Sequence, residues 1–454
     1  MAMFRIRGMR GFLASSIGVT CAAALALPLT LPASAAPASA SAPAARSTSG
    51  ARTASTTAAP DLPGSTESLP LTPRTRDRTF GAAPEQGLTR AGVHRFSLVG
   101  VTWSDPDTEL RGQVQVRTRA TGTGTWSGWQ DIDTHNEDHG ADPGTAERDS
   151  GRVHGSTAPL WVGDSDGVDV RVRATGAATR TVGHTDEQPS LLPTGLHLEL
   201  VDPGAAQAPP AGAPAPTNRN RTATPRLAAT ELPALSRQAT ERDMVALGAK
   251  AQPYIGPRPR IVTRHGWGAD EKLREKGFVY TKKVKAAFVH HTATGNNYRC
   301  SQAPSVIRGI YRYHVKSSGW RDIGYNFLVD KCGTIYEGRA GGVAKAVMGA
   351  HTLGFNTNSM GIAVLGTFGS AKPSSAAVTA IAKLTAWKLG LYGVNPRGKT
   401  YLKSGGGNLY RKGKNVRLNV ISGHRDGFAT ECPGRQLYGK LGSARSTSAR
   451  YQGR

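Results

Sequence analysis

Beyond its first forty residues, this 454-residue chain has no stretch approaching ~18 consecutive apolar residues, the length a membrane-spanning helix needs. A transmembrane segment is therefore not expected in the mature protein. Large apolar residues are also scarce over 41–90, where Ala, Ser, Thr and Pro dominate. That segment cannot offset its chain entropy by burial and reads as a disordered spacer. Acidic residues are nearly missing from the other end. Residues 251–454 hold 8 Asp and Glu against 33 Lys and Arg, while the first 250 hold 24 of each, so the whole charge of +25 belongs to the C-terminal part. A surface of that kind favours polyanions. Cell-wall polymers, anionic membranes and nucleic acid all suit the charge, and so does a merely solvated basic face.

What is present at the start narrows the choice. Arg5, Arg7 and Arg10 precede an apolar run from Gly11 to Leu31, then Ala33-Ser-Ala35 and Ala38-Ser-Ala40. Basic start, apolar middle and small-residue end describe a secretory signal peptide over 1–40. An exported protein meets wall polymers before nucleic acid. Export also changes the cysteine arithmetic, because losing Cys21 leaves Cys300, Cys332 and Cys432. In an oxidising compartment two are expected to pair, and the third needs another reason, such as a metal.

Between 91 and 202 apolar and polar residues alternate, as in Phe96–Trp103, Gln113–Arg119, Val168–Arg173 and Leu196–Leu200. A period of two marks half-buried strands, and the absence of helical stretches predicts an all-β, sandwich-like accessory domain. Trp126 and Trp129 read as strand aromatics, and Asp164–Asp169 as an Asp-Gly turn. A Pro/Ala/Gly-rich linker is expected over 203–254. From 255 to 445 the pattern becomes mixed α/β, a central sheet flanked by helices, with a basic tail at 446–454. Lys285–His291, Tyr325–Asp330, Thr334–Glu337 and Gly361–Gly366 read as strands. Pro304–His314 has helical spacing, and Ser374 is placed to cap a helix reaching Leu391.

Metal-type ligands occur in three places of this second domain. His290 and His291 end a buried strand, Gly423-His424-Arg425-Asp426 follows later, and Cys432 lies eight residues beyond His424. A strand-end histidine plus a His-x7-Cys loop can supply three ligands to a zinc ion and leave its fourth position for water, the pattern of a catalytic site. Two satisfied histidines and a small buried thiol fit the same residues.

Several blocks in order carry a resemblance: Val289-His-His-Thr-Ala293, Tyr313-His314, Gly319-Trp-Arg-Asp-Ile-Gly-Tyr-Asn-Phe-Leu-Val329, Gly333-Thr-Ile-Tyr-Glu-Gly-Arg339, Gly349-Ala-His351, Ser359-Met-Gly-Ile-Ala363, and Gly423-His-Arg-Asp426 through Cys432-Pro-Gly434. Residues 258–434 thereby resemble the peptidoglycan recognition proteins and the zinc-dependent N-acetylmuramoyl-L-alanine amidases. The resemblance implies hydrolysis of the amide between N-acetylmuramic acid and L-alanine by a zinc-activated water, in a secreted, wall-associated monomer. It implies Zn2+ on His290, His424 and Cys432, with Tyr325 and Thr430 beside the reacting amide. Strand alternation points His291 to the opposite face. By the same resemblance His314, Trp320, Arg339 and His351 line the groove, and an arginine suits a stem-peptide carboxylate. With Cys432 taken by metal, the count leaves Cys300 and Cys332 as the expected disulfide. Family members that only recognise peptidoglycan usually lack the cysteine ligand, so Cys432 favours a hydrolase over a non-catalytic binding protein.

Overall fold

The computed structural model describes residues 64–74, 84–134, 138–175, 192–205, 229–246 and 253–454. The expected signal peptide and most of the spacer lie outside the described residues, which all fall within one cohesive unit, 59–454.

The β-rich part contains β1 (Ser65–Pro70), β2 (Thr72–Pro73), β3 (Glu85–Trp103), β4 (Gly112–Ala120), β5 (Gln130–Ile132), β6 (Gly155–Ser156), β7 (Leu160–Ala174) and β8 (His197–Asp202). Hydrogen bonds join them in one antiparallel sheet, ordered β1-β8-β3-β7-β4-β5, with β2 and β6 also on β3. The sandwich expectation is amended to this single sheet, which register shifts between Ala91 and Leu98 allow to bend. Asp164–Asp169 lies inside β7 and is not a turn. The spacer also ends earlier than expected. β1 carries little apolar surface, but it pairs along its whole length with β8, so backbone bonding holds it where burial does not.

Alternate residues of β3, Val99, Val101 and Trp103, face the β-rich core with Val114, Val170 and Leu198. Leu98, with Trp161 and Val201, faces the other way into a second cluster that contains Ile307, Ile310 and Tyr313. These strands are therefore buried on both faces. Tyr313 Oη donates toward the Thr157 carbonyl at 3.1 Å.

The α/β part begins within the expected linker. β9 (Glu231–Leu232) pairs with β10 (Ile261–Val262), and α1 (Arg237–Ala246) buries Thr240 and Met244. Met244 joins the main core, which gives this stretch the packing its composition hides. Then follow α2 (Arg264–Trp267), β11 (Ala286–His291), α3 (Ala303–Arg312), β12 (Phe327–Val329), β13 (Ile335–Glu337), β14 (Ser359–Val364), α4 (Ser375–Gly390), β15 (Lys399–Lys403), β16 (Asn415–Asn419), β17 (Ile421–Gly423), α5 (Arg435–Tyr438) and α6 (Leu441–Tyr451). The mixed sheet runs β17-β11-β14-β12-β13-β10-β9, and β15 and β16 form a separate hairpin. Helix α4 starts where Ser374 accepts from Ala377 N at 3.0 Å, and it packs with α6 against one core. α3 belongs to the other cluster. The expected basic tail is the end of α6, where Ala449 and Gln452 are buried and Gln452 Nε2 donates to the Ala386 carbonyl at 2.9 Å. Cys300 and Cys332 form the disulfide that the cysteine count left to them.

Candidate metal centre

β11 runs parallel to both β14 and β17 and is buried along its length. Parallel neighbours bring their carboxyl ends together, the usual place for a site in such sheets. His290 lies at the end of β11, and His424 directly follows β17. Cys432 returns beside them, where Arg425 N donates to its carbonyl at 3.0 Å. His290 Nδ1 lies 3.0 Å from His424 Nδ1 and 3.8 Å from Cys432 Sγ. His291 points away, as alternation requires, and accepts from Phe368 N at 3.3 Å.

A fourth side chain joins this group, and it comes from the β-rich part. His139 completes a set with His290, His424 and Cys432 whose ligand atoms all lie within 4.8 Å of one another. Nothing in the sequence pointed to it. It stands 151 positions before His290 in a loop rich in Asp and Gly, apart from every block that carries the resemblance.

The hydrogen bonds around these rings decide which nitrogens are free. His139 Nδ1 donates to Asp138 Oδ1 at 2.6 Å, leaving Nε2 as the lone-pair atom. That Nε2 is buried and has no hydrogen-bond partner. His424 Nε2 donates to the Asp138 carbonyl at 3.2 Å, so its Nδ1 lone pair faces His290. His290 Nε2 meets the Thr352 hydroxyl at 3.4 Å. Orienting partners of this sort are what metal-bound imidazoles use. Zinc bonds of ~2.0–2.3 Å give tetrahedral edges of about 3.3–3.6 Å, between the 3.0 and 3.8 Å that separate His290 from His424 and Cys432.

Burial lowers the basicity of His290 well below the usual imidazole range, with His424 adding to the effect, and holds His424 at about 3. Both rings are thus neutral, the form that binds metal. Burial pushes the Cys432 thiol up, with Asp138 adding to it, so the thiolate needs a cation beside it. Burial would also raise the Asp138 carboxyl, but His139, His424 and the Thr430 hydroxyl hold it below the usual carboxylate range. A zinc ion fits this donor set.

Tyr325 stands against the group, its ring 5.6 Å from that of His290 and 5.7 Å from that of His139. Thr430 Oγ1 accepts from Cys432 N at 3.1 Å. The four expected groove residues are near the centre, and Trp320 borders an open cavity of about 510 Å³. His314, Trp320, Arg339 and His351 are all buried. His351 Nδ1 bonds the same Thr352 hydroxyl that His290 uses. His314 stacks on Trp320 and accepts from Gly324 N at 3.2 Å. Arg339 makes a bidentate pair with Glu147 of the β-rich part, at 2.9 and 2.8 Å. Residues 138–147 cover Arg339 and the metal group, whereas His351 is enclosed by Phe288 and His290, and Trp320 packs on His314 within the α/β part.

Residues 280–435 match the family described as N-acetylmuramoyl-L-alanine amidase, and residues 45–195 match one described as Rv3811 N-terminal galactose-binding domain-like. Peptidoglycan-recognition protein SC2 of Drosophila simulans is 31% identical over 40% of this chain and 84% of its own length. The chain belongs to the peptidoglycan-recognition protein family. Peptidoglycan-recognition protein SC1a of Drosophila melanogaster is 33% identical over 41% of this chain and 87% of its own. Among solved structures, wild-type Drosophila PGRP-LB aligns at 26% identity over 40% of this chain and 93% of its own, with a TM-score of 0.32. Membership places the function of this family member in peptidoglycan binding or hydrolysis.

Proposed function

We propose that this chain is an exported, zinc-dependent N-acetylmuramoyl-L-alanine amidase that cuts the amide between N-acetylmuramic acid and the L-alanine of the stem peptide. The observation that carries the reading is Cys432, a buried thiol 3.8 Å from His290 in a group with His424. His290, His424 and Cys432 are the residues that would hold the metal. Zinc at such ligands polarises a carbonyl and acidifies a water.

Tyr325 has its hydroxyl kept protonated, since burial and then Cys432 raise it well above the usual phenol range. It can donate to the oxygen on which charge develops. Thr430 supplies a second hydroxyl but no charge. Arg339, buried and able to bind a carboxylate with two parallel bonds, is suited to the stem peptide. The basic surface of the C-terminal part holds the anionic wall and gives no reason to invoke nucleic acid.

The second reading is a recognition protein that holds peptidoglycan without cutting it. His139 favours it, because a fourth protein ligand resembles the closed set of a structural zinc site. Mass spectrometry of digested peptidoglycan separates the two. With its centre open, the chain is expected to release peptides with new L-alanine amino termini, while Cys432→Ser and His290→Ala release none and hold less zinc. Stoichiometric zinc with no such termini, under conditions in which the centre is open, would leave recognition as the function.

A further inference from the structure

The segment between β5 and β6 does something its own domain does not require. Its polar side chains Asp138, His139, Asp142 and Glu147 are all buried, at 0%, 8%, 7% and 4% exposure. They are buried against the α/β part. Asp142 Oδ1 accepts from Gly354 N at 2.8 Å and Asn356 Nδ2 at 2.6 Å. The Asp138 carbonyl accepts from Leu353 N at 2.9 Å. Glu147 takes both outer nitrogens of Arg339 and also accepts from Arg321 N at 3.2 Å. Burying three carboxylates and an imidazole is costly unless each finds its partner, and two of the partners here, Arg339 and His424, are groups expected to meet substrate and metal.

Two of these contacts imitate a ligand. His139 Nε2 points without a hydrogen-bond partner into the metal group, at the position a catalytic zinc leaves for water or substrate. The Glu147 carboxylate meets Arg339 as a peptide carboxylate would. Around Cys432, Tyr325 and Thr430 the remaining cavity is about 10 Å³, hardly one water and far short of an acyl group. Open space of about 510 Å³ begins only at the far end of the segment, beside Arg152, His154 and Trp320. The lasting junction between the two parts lies elsewhere. It is the apolar cluster of Leu98, Trp161 and Val201 with α3, so the segment can withdraw while the β-rich part stays docked. Gly144 and Gly151, at φ of 77° and 72°, allow the chain to turn there.

We propose that Asp138–Glu147 is a built-in occupant of the substrate groove, with His139 closing the metal's fourth position and Glu147 filling the carboxylate site on Arg339, so that the chain is made in a latent form. This rests on reading the centre as a wall-peptide groove. The acidic segment and the basic C-terminal part account for the fit by charge, and opening the groove means exchanging Glu147 for a substrate carboxylate.

The test uses the full chain and two readouts that do not depend on catalysis. In cobalt-substituted protein, azide reports an available metal position through the visible spectrum. A soluble muramyl tripeptide reports the groove by calorimetry. Wild type is expected to ignore azide and bind the peptide weakly, while His139→Ala/Glu147→Gln responds to azide and binds about 10-fold tighter or more, the factor by which closure reduces the competent population. Equal azide response and equal peptide affinity in wild type and variant would overturn the closure. Should the double variant fail to fold, Glu147→Gln alone decides through peptide binding, and no gain over wild type overturns the proposal. A variant that opens and binds but releases no L-alanine termini upholds the closure and removes the amidase reading. Wild type cutting peptidoglycan at the variant's rate does the reverse.

Discussion

Two arginines of the α/β part are buried to the same degree, each at 5% exposure, and each is matched by carboxylates. Arg264 pairs with Glu271 at 2.6 Å and Asp322 at 3.1 Å, donates to the Gly338 carbonyl, and lies against the rings of Trp267 and Tyr311. All of these belong to its own part of the chain. Arg339 has one carboxylate partner, Glu147, 192 positions earlier in the β-rich part. Burial would weaken both guanidinium charges, and the acids beside them restore and strengthen them. The chemistry is the same and the provenance differs. A carboxylate from the same fold is architecture, whereas one delivered by a loop of another domain can be exchanged for a ligand's.

The comparison breaks first on stability. Arg264→Ala strands Asp322 without its cation in a place water does not reach, so it is expected to cost about 3–5 kcal/mol in chemical denaturation. Glu147→Gln should cost less, about 1–3 kcal/mol, because its partner regains water when the segment lifts. The same change should strengthen binding of a stem-peptide carboxylate, while Arg264→Ala should not. If both variants lose similar stability and neither alters peptide binding, the two arginines play the same structural role and the distinction fails.

A third buried cation sharpens the comparison from the other side. Lys388 of α4 is 2% exposed, and its ammonium donates to the Lys345 carbonyl at 2.7 Å and to that of Val343. Burial lowers it from 10.5 to about 7, with Glu337 opposing only in part. Its folded value lies below its unfolded one, so between about pH 7 and 10.5 the unfolded chain binds more protons and stability rises with pH. Between pH 7 and 8 the gain should be about 1 kcal/mol, and Lys388→Met should abolish it. A melting series over that range checks the sign, and a flat wild-type profile would show the lysine charged and paired in the fold.

Much of this architecture was legible along the chain. The run Ala286–His291 is apolar enough to be a central strand, and its alternation separates His290 from His291. Ser374 capped its helix for the local reason that its side chain reaches the Ala377 amide. Composition misleads where pairing or packing decides. β1 is held by strand pairing with β8, α1 by the burial of Met244, and the end of α6 by the burial of Ala449. The expected groove residues lie near the centre, but the burial of Arg339 cannot be read along the chain, because Glu147, which covers it, stands 192 positions away.

By itself the sequence determined the family, the strand-end histidine, the His-x7-Cys loop and the cysteine arithmetic, since all of these rest on order and spacing along the chain. Only the tertiary structure decided the state of the centre. Whether the fourth ligand position and Arg339 face water or a loop depends on two segments meeting in space, and the contacts of His139 and Glu147 leave no periodicity or spacing from which that meeting can be read.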